Sequence, residues 1–131
     1  MSILSIPTPD YRLAPENRLP AAIDNGFAIV RWLRDQAVSD KPDHWLSEVA
    51  DFGCVFISGD SAGANIVHNL AARLGSGSPE MAAVRVKGYV LLEPFFGGTV
   101  PSKSEDEGPK DAFLNMELID RLVNWMIHNS C

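Results

Sequence analysis

The chain has 131 residues, of which 46% are hydrophobic and 21% are charged. These proportions are those of a soluble globular protein, and the length is within the range of one domain. The formal net charge is −6, and the eleven basic residues are scattered along the chain. This charge pattern argues against nucleic acid and anionic membrane surfaces as partners.

The beginning of the chain and its two cysteines bear on the cellular compartment. The first seven residues show no cationic region and no long apolar stretch, so no signal peptide is predicted. No segment approaches the ~18 apolar residues of a spanning helix. Cys54 lies in an apolar run and Cys131 ends the chain, so we expect no disulfide and a buried Cys54 side chain. The default compartment is the reducing cytoplasm, and the nucleus is open in addition.

The first half of the chain predicts one long helix. Residues 2–6 are a short apolar run, which the prolines that follow make a poor strand. After a turn-rich connector, Pro20 suits the first turn of a helix that ends between Gln36 and Val38. Its apolar face recurs every three or four residues, at Ile23, Phe27, Val30, Leu33 and Ala37. Residues 39–53 are predicted to be a loop with one helical turn.

The second half predicts two strands separated by a helix. Cys54–Ser58 and Val84–Leu92 have the composition of buried strands, and Ala62–Leu74 is a helix apolar nearly all round, which indicates burial. Residues 101–111 form a polar loop, and an amphipathic helix follows around Leu118 to Met126. Strands that alternate with helices predict an α/β layer in which the two strands pair in parallel.

The sequence Gly59-Asp60-Ser61-Ala62-Gly63 fits the pattern G-x-S-x-G at the junction of a predicted strand and helix. In a nucleophile elbow, a serine occupies a strained turn that lifts its hydroxyl above the edge of the sheet. Glycines two residues on either side let the strand and helix approach closely. The amide of Ala62, at the helix N-terminus, then faces an oxyanion. The alternative is a simple turn between strand and helix without a catalytic role.

Longer motifs in the chain resemble a known family. The segment "DYRLAPE", followed by "GDSAGAN", resembles the hormone-sensitive-lipase-like branch of the α/β-hydrolases. The extended set, through "PFFGG", is similar to plant carboxylesterases, whose non-enzymatic relatives are the gibberellin receptors. The segment "EGPKDAFLNMELIDR" is most similar to a subgroup that includes strigolactone-cleaving esterases.

The resemblance implies a fold and a domain organisation. It implies a partial α/β-hydrolase domain over residues 1–131, with central parallel strands, flanking helices and the start of a cap segment. The core fragment covers about residues 1–95, and a loop with a cap-like helix covers about 96–131. The N-terminal and C-terminal parts of the family's domain are expected to be missing from this chain.

The resemblance also implies roles for individual residues. Ser61 matches the acyl-forming nucleophile, and Ala62 matches the backbone donor to the oxyanion. Asp60 matches a motif aspartate held in hydrogen bonds, and Gly59 and Gly63 match the structural glycines of the elbow. A connector with a structural role is matched by Asp10, Arg12 and Glu16. The mechanism implies no metal and no organic cofactor, and its partner is a small-molecule ester or hormone-like ligand.

A serine nucleophile needs a base, and the histidines of the chain do not fit that role. His68 lies seven residues beyond Ser61 on the same predicted helix, roughly 10 Å along its axis, whereas a base must approach within about 3 Å. His44 is expected at the surface. His128 ends the last helix, while the family's histidine comes later in the chain, after the acid.

The acid and the rest of the oxyanion hole are also unmatched. The downstream carboxylates Glu93, Glu117 and Asp120 do not stand at family positions, and an HGG-type loop should precede "DYRLAPE". The resemblance therefore implies a carboxylic-ester hydrolase that is inactive as this isolated chain. Two alternatives stay open: a non-catalytic hormone-binding relative, and a truncated product without function.

Overall fold

A computed structural model of the chain describes residues 7–75, 78–97, 100–108 and 115–127. The poor strand predicted at residues 2–6, together with His128 and Cys131, lies outside the described residues. The elements in chain order are α1 (Ala21–Val38), α2 (His44–Val49), β1 (Val55–Asp60), α3 (Ala62–Leu74), a 3₁₀ turn (Pro79–Met81), β2 (Val86–Leu92), α4 (Lys103–Asp106) and α5 (Met116–Ile127).

The elements divide into two compact units. The first contains the chain up to Tyr11 together with Ile23–Phe95, and the second contains Arg12–Ala22 together with the chain from Phe96 onward. The turn-rich connector of the "DYRLAPE" segment is thus shared between them, and α1 begins in the second unit and continues into the first.

The two strands of the first unit pair in parallel, as the alternating pattern predicted. Ile57 lies opposite Tyr89 and Asp60 lies opposite Leu92. Helix α3 connects the strands along the chain and packs against both of them. The carboxyl ends of both strands therefore meet at one edge, next to the beginning of α3.

The core of the first unit is built on one face of α3. The buried residues of this face are Ala64, Ile66, Val67, Leu70 and Leu74. Helix α1 packs on the same helix: a Cβ at Gly26 would come within 2.7 Å of Ile66 Cγ2, and the Arg73 guanidinium lies 4.5 Å from the centre of the Phe27 ring. The prediction of burial nearly all round is wrong, because His68 and Ala72 on the other face are exposed.

Three further predictions need correction. The strands run over Val55–Asp60 and Val86–Leu92 rather than over the predicted ranges. Cys54 is exposed, because a turn closed by its amide and the carbonyl oxygen of Asp51, at 3.0 Å, precedes the strand. The predicted polar loop contains α4, a single turn capped by Ser102.

In the second unit, α5 is the main described element. Among its described residues Val123 alone is buried, in keeping with the amphipathic pattern. The Leu19 amide donates a hydrogen bond to the carbonyl oxygen of Met126 at 3.1 Å, and this contact ties the connector to the end of α5.

The helices carry exposed as well as buried apolar residues, Val38 and Trp125 being examples of exposed ones. None of the helices in the part of the chain that the structure describes is long and apolar enough to cross a membrane.

Candidate active site

Ser61 is the single residue between β1 and α3, and its backbone is in an unusual conformation. Its φ is 51° and its ψ is −113°. A positive φ brings Cβ into steric conflict with the backbone in L residues other than glycine, and such a conformation costs about 1–3 kcal/mol. Ser61 is also exposed. A strained, exposed serine between a parallel strand and a helix is the geometry that the G-x-S-x-G motif predicted.

Gly59 permits the tight turn around Ser61. A Cβ built at Gly59 would overlap the backbone carbonyl of Gly63 and lie 2.7 Å from the amide nitrogen of Ala64. The last part of β1 therefore passes directly against the first turn of α3, with no room for a side chain. The close approach of strand and helix expected at the elbow is present, and it requires glycine at position 59.

Gly63 and Asp60 behave differently from what the motif suggested. A Cβ at Gly63 would have no atom within 4 Å, so the space around its own side-chain position does not require glycine. Asp60 is exposed at the end of β1, and none of the residues that the structure describes donates a hydrogen bond to its carboxylate. The sequence pattern alone could not separate the glycine that is sterically required from the one that is not.

The two backbone amides at the elbow, of Ser61 and Ala62, have different surroundings. The Ser61 amide donates to the carbonyl oxygen of Leu92 at 3.0 Å, which extends the sheet ladder by one residue beyond β1. The Ala62 amide belongs to the first turn of α3, where N–H groups have no partner within the helix. The role of the Ala62 amide as an oxyanion donor stays a prediction.

The segment that follows β2 also contacts the elbow, which the sequence did not predict. The Phe95 amide donates to the carbonyl oxygen of Ser61 at 3.1 Å, and the Asn65 side-chain amide donates to the carbonyl oxygen of Phe95 at 2.9 Å. Glu93, between Phe95 and β2, has a φ of 40°. Ser61 and Glu93 are thus two strained residues at the carboxyl ends of neighbouring strands. The motif "PFFGG" marked this segment as part of the family pattern, but it did not predict that the segment contacts Ser61.

Two histidines lie in the part of the chain that the structure describes, and both are on exposed helix surfaces. His44 begins α2, is highly exposed and lies 3.5 Å from Glu48. His68 is on the exposed face of α3, two turns from Ser61, which agrees with the separation expected from the helical rise. Burial raises the pKa of the Tyr89 phenol, which keeps it protonated at neutral pH. His128 lies outside the described residues.

A cavity in the first unit is separate from the elbow. Its volume is about 580 Å³, and it is lined by apolar surface of α1 and α2 and by the segment before them, with both indoles of Trp32 and Trp45. None of residues 59–65 contributes to its lining. In the first unit, this cavity therefore does not provide a substrate pocket at Ser61.

Comparison with known proteins agrees with this geometry. A profile described as the α/β hydrolase fold matches residues 4–130. The chain belongs to the α/β-hydrolase fold family.

Similar curated proteins are plant carboxylesterases. Carboxylesterase 20 of Arabidopsis thaliana is 42% identical over 98 residues, which are 75% of this chain and 28% of that protein. Probable carboxylesterase 8 of the same plant is 41% identical over 107 residues, or 79% of this chain and 31% of that protein. The 3-O-acetylpapaveroxine carboxylesterase CXE2 of Papaver somniferum is 40% identical over 118 residues, or 88% and 36%.

These matches confirm the resemblance to plant carboxylesterases of the hormone-sensitive-lipase-like branch. The chain spans about a third of the length of these curated relatives. The similarity to the strigolactone-cleaving subgroup stays a prediction.

Proposed function

We propose that this chain contributes the nucleophile of a carboxylic-ester hydrolase, and that Ser61 is that nucleophile. The observation that carries the proposal is the positive φ of Ser61 at the junction of β1 and α3. A simple turn between strand and helix needs no strained serine, whereas a nucleophile elbow does. The names of the relatives support ester hydrolysis as the reaction.

The proposed reaction passes through an acyl-serine. The Ser61 oxygen attacks the ester carbonyl carbon, its proton passes to a base, and the carbonyl oxygen becomes an oxyanion that the Ala62 amide stabilises. Collapse of this intermediate breaks the bond to the alcohol, which leaves with a proton from the same base. Water then attacks the acyl-serine by the same steps and releases the acid. These steps use only side chains and backbone amides.

We propose that the base and its acid come from sequence beyond these 131 residues. His68 is held two turns from Ser61, and His44 lies on another helix, paired with Glu48. Removing one oxyanion donor typically lowers the rate by about 10²–10³, so the lack of an HGG-type loop would add to the lack of a base. The isolated chain is therefore proposed to be inactive.

The substrate class follows from the relatives alone. One of them carries an acetylated small molecule in its name, and the others are named only as carboxylesterases. We propose a small-molecule ester for this chain, in the cytoplasm and without a metal or organic cofactor. The second candidate is a hormone-binding relative without turnover, which would keep the elbow but lack a working base.

A pair of proteins tests the proposal. The first is the isolated chain, which we expect to hydrolyse p-nitrophenyl acetate no faster than its Ser61→Ala variant. The second is a chimera in which the flanking segments of Carboxylesterase 20 are joined to this chain. We expect the chimera to turn over the ester and its Ser61→Ala variant to lose at least about 10³-fold in rate, as nucleophile removal does in serine hydrolases.

Two results would contradict the proposal in different ways. A Ser61-dependent burst of p-nitrophenol from the isolated chain would show that a base is present, and His128 would be the first residue to replace. A folded chimera that binds ester ligands but does not hydrolyse them would favour the hormone-binding alternative.

A further inference from the structure

Asn65 occupies a place in the elbow that its sequence position does not reveal. It lies on the first turn of α3, one helical turn beyond Ser61, and its side chain is half-buried. Its backbone amide donates to the carbonyl oxygen of Ser61 at 3.2 Å, which is the first regular hydrogen bond of the helix. This bond fixes the backbone of Asn65 next to that of the strained serine.

The Asn65 side chain uses both ends of its amide. Its Nδ2 donates to the carbonyl oxygen of Phe95 at 2.9 Å, and its Oδ1 accepts from Asn69 Nδ2 at 3.1 Å. Asn69 Nδ2 also donates to the Asn65 carbonyl oxygen at 2.9 Å. An amide can donate and accept at once, which a carboxylate or an aliphatic side chain cannot do. The amide of Asn65 satisfies both of these contacts with one side chain.

These hydrogen bonds join Ser61, Asn65 and Phe95 into a closed ring. The Ser61 carbonyl oxygen accepts from the amides of both Asn65 and Phe95, and the Phe95 carbonyl oxygen accepts from the Asn65 side chain. The ring joins residues that are thirty positions apart in the chain. A strained conformation of this kind persists only when its surroundings hold it in place. The ring supplies that support on the side of Ser61 that faces the segment after β2.

We infer that Asn65 is a positioning residue for Ser61. Through Phe95, its side-chain amide holds the segment after β2 against the Ser61 carbonyl and so fixes the strained backbone that directs the serine hydroxyl. The inference rests on the proposed function in one respect: the positioned hydroxyl is useful only if Ser61 is a nucleophile. The ring itself can be tested without any activity.

The test measures amide hydrogen exchange by NMR in the 131-residue chain. Asn65→Leu removes the bridge at similar volume, and Asn65→Asp replaces the donor with a carboxylate. In both variants at neutral pH we expect the Phe95 amide to exchange about tenfold faster, relative to the Leu70 amide in the middle of α3. The matched control is Asn69→Leu, which leaves the bridge to Phe95 intact and should change that ratio less than about twofold.

A pH series separates positioning from a general loss of stability. In Asn65→Asp, the introduced carboxyl group carries a proton below its pKa, and that proton can be donated to the Phe95 carbonyl oxygen. Protection of the Phe95 amide in this variant should therefore recover at acidic pH, after correction for intrinsic exchange, whereas Asn65→Leu should show no recovery. A merely structural role would lower protection of Phe95 and Leu70 together and would give no selective recovery.

The outcomes of this test and of the proposed function are distinguishable. If the ratio of the Phe95 exchange rate to the Leu70 exchange rate is unchanged in Asn65→Leu, the inference is overturned whatever the activity. It is also overturned if that ratio changes as much in Asn69→Leu as in Asn65→Leu. If the ratio changes as expected but the chimera of the preceding section is inactive, the ring stands and the proposed function fails. If the chimera is active, Asn65→Leu should lower its kcat about tenfold with KM unchanged, since misplacement of a reacting group reduces kcat.

Discussion

The elbow around Ser61 and the helix α5 are held by different kinds of contact. At the elbow, Ser61 bonds to Leu92, and Phe95 bonds back to Ser61, so the partners are about thirty residues apart. At α5, Asn115 caps the amide of Leu118 three residues later and Arg121 pairs with Glu117, while a bond from the Leu19 amide joins the last turn. A relaxed helix can be held by its own sequence, whereas a strained turn needs support from distant parts of the chain.

Burial also differs between the elbow and α5. Ala64, in the first turn of α3, is 0% exposed. On α5, Val123 is the buried residue among those described, and Trp125 is 45% exposed. Local opening is easiest where few apolar contacts are lost. We therefore expect α5 to open at a lower free energy than the elbow, and the following experiments test that difference.

The largest expected effect comes from Gly59→Ala. The new Cβ would overlap the backbone of Gly63, and backbone cannot move aside as a flexible side chain can. We expect a loss of about 3 kcal/mol or more in the free energy of unfolding, measured by urea denaturation with tryptophan fluorescence. In contrast, Gly63→Ala meets nothing within 4 Å and should stabilise α3 by about 0.5–1 kcal/mol. Equal losses in the two variants would contradict this account of the turn.

A smaller effect is expected from relief of strain at Ser61. Both Ser61→Gly and Ser61→Ala remove the hydroxyl, but only glycine adopts a positive φ without steric conflict. The relief of about 1–3 kcal/mol is partly offset by the greater entropy of glycine in the unfolded chain. Ser61→Gly should therefore be more stable than Ser61→Ala by about 1 kcal/mol in urea denaturation. An alanine variant as stable as the glycine variant would show that the turn stores no strain.

The cap of α5 should have a comparable effect on that helix but none on the elbow. Asn115 Oδ1 accepts from the Leu118 amide at 3.0 Å. Asn115→Ala removes this bond, and loss of such a cap costs about 1 kcal/mol. Exchange of the Leu118 and Ile119 amides should become about fivefold faster, while the Phe95 amide is unchanged. The matched control is Asn124→Ala, at an exposed position in the C-terminal half of α5, which should not accelerate exchange of the Leu118 and Ile119 amides. A change in exchange of the Phe95 amide in Asn115→Ala would contradict the independence of the elbow from this cap.

The smallest effect is expected at α4, and it depends on pH. The Ser102 amide donates to Glu105 Oε2 at 2.6 Å, and this bond and a second one to the Ser102 side chain lower the pKa of Glu105 below its ordinary value of 4.5. A lowered pKa in the folded state means that the carboxylate contributes to stability above pH 4.5 and loses that contribution as the pH falls through the lowered pKa. The Ser102 amide resonance should shift in that acidic range, and Glu105→Gln should abolish the shift.

Several features of this protein were determined by its sequence alone. The alternation of apolar runs predicted the parallel pairing of β1 and β2 and the helix Ala62–Leu74, because strand and helix periodicity are local properties. The G-x-S-x-G pattern predicted where the strained serine stands, since only a few residue types tolerate a sharp turn between strand and helix. The longer motifs predicted the family, which the comparisons confirm.

Other features were decided only by the tertiary structure. The sequence offered two equivalent glycines, but the path of β1 against α3 makes only Gly59 sterically necessary. Cys54 belongs to an apolar run, but a turn at Asp51 starts the strand one residue later and leaves Cys54 exposed. Asn65 is one polar residue on a mostly apolar helix, and its role depends on a carbonyl group thirty residues away. Contacts of this kind join segments that no local pattern relates, so they are fixed only when the two strands and the helix between them are assembled.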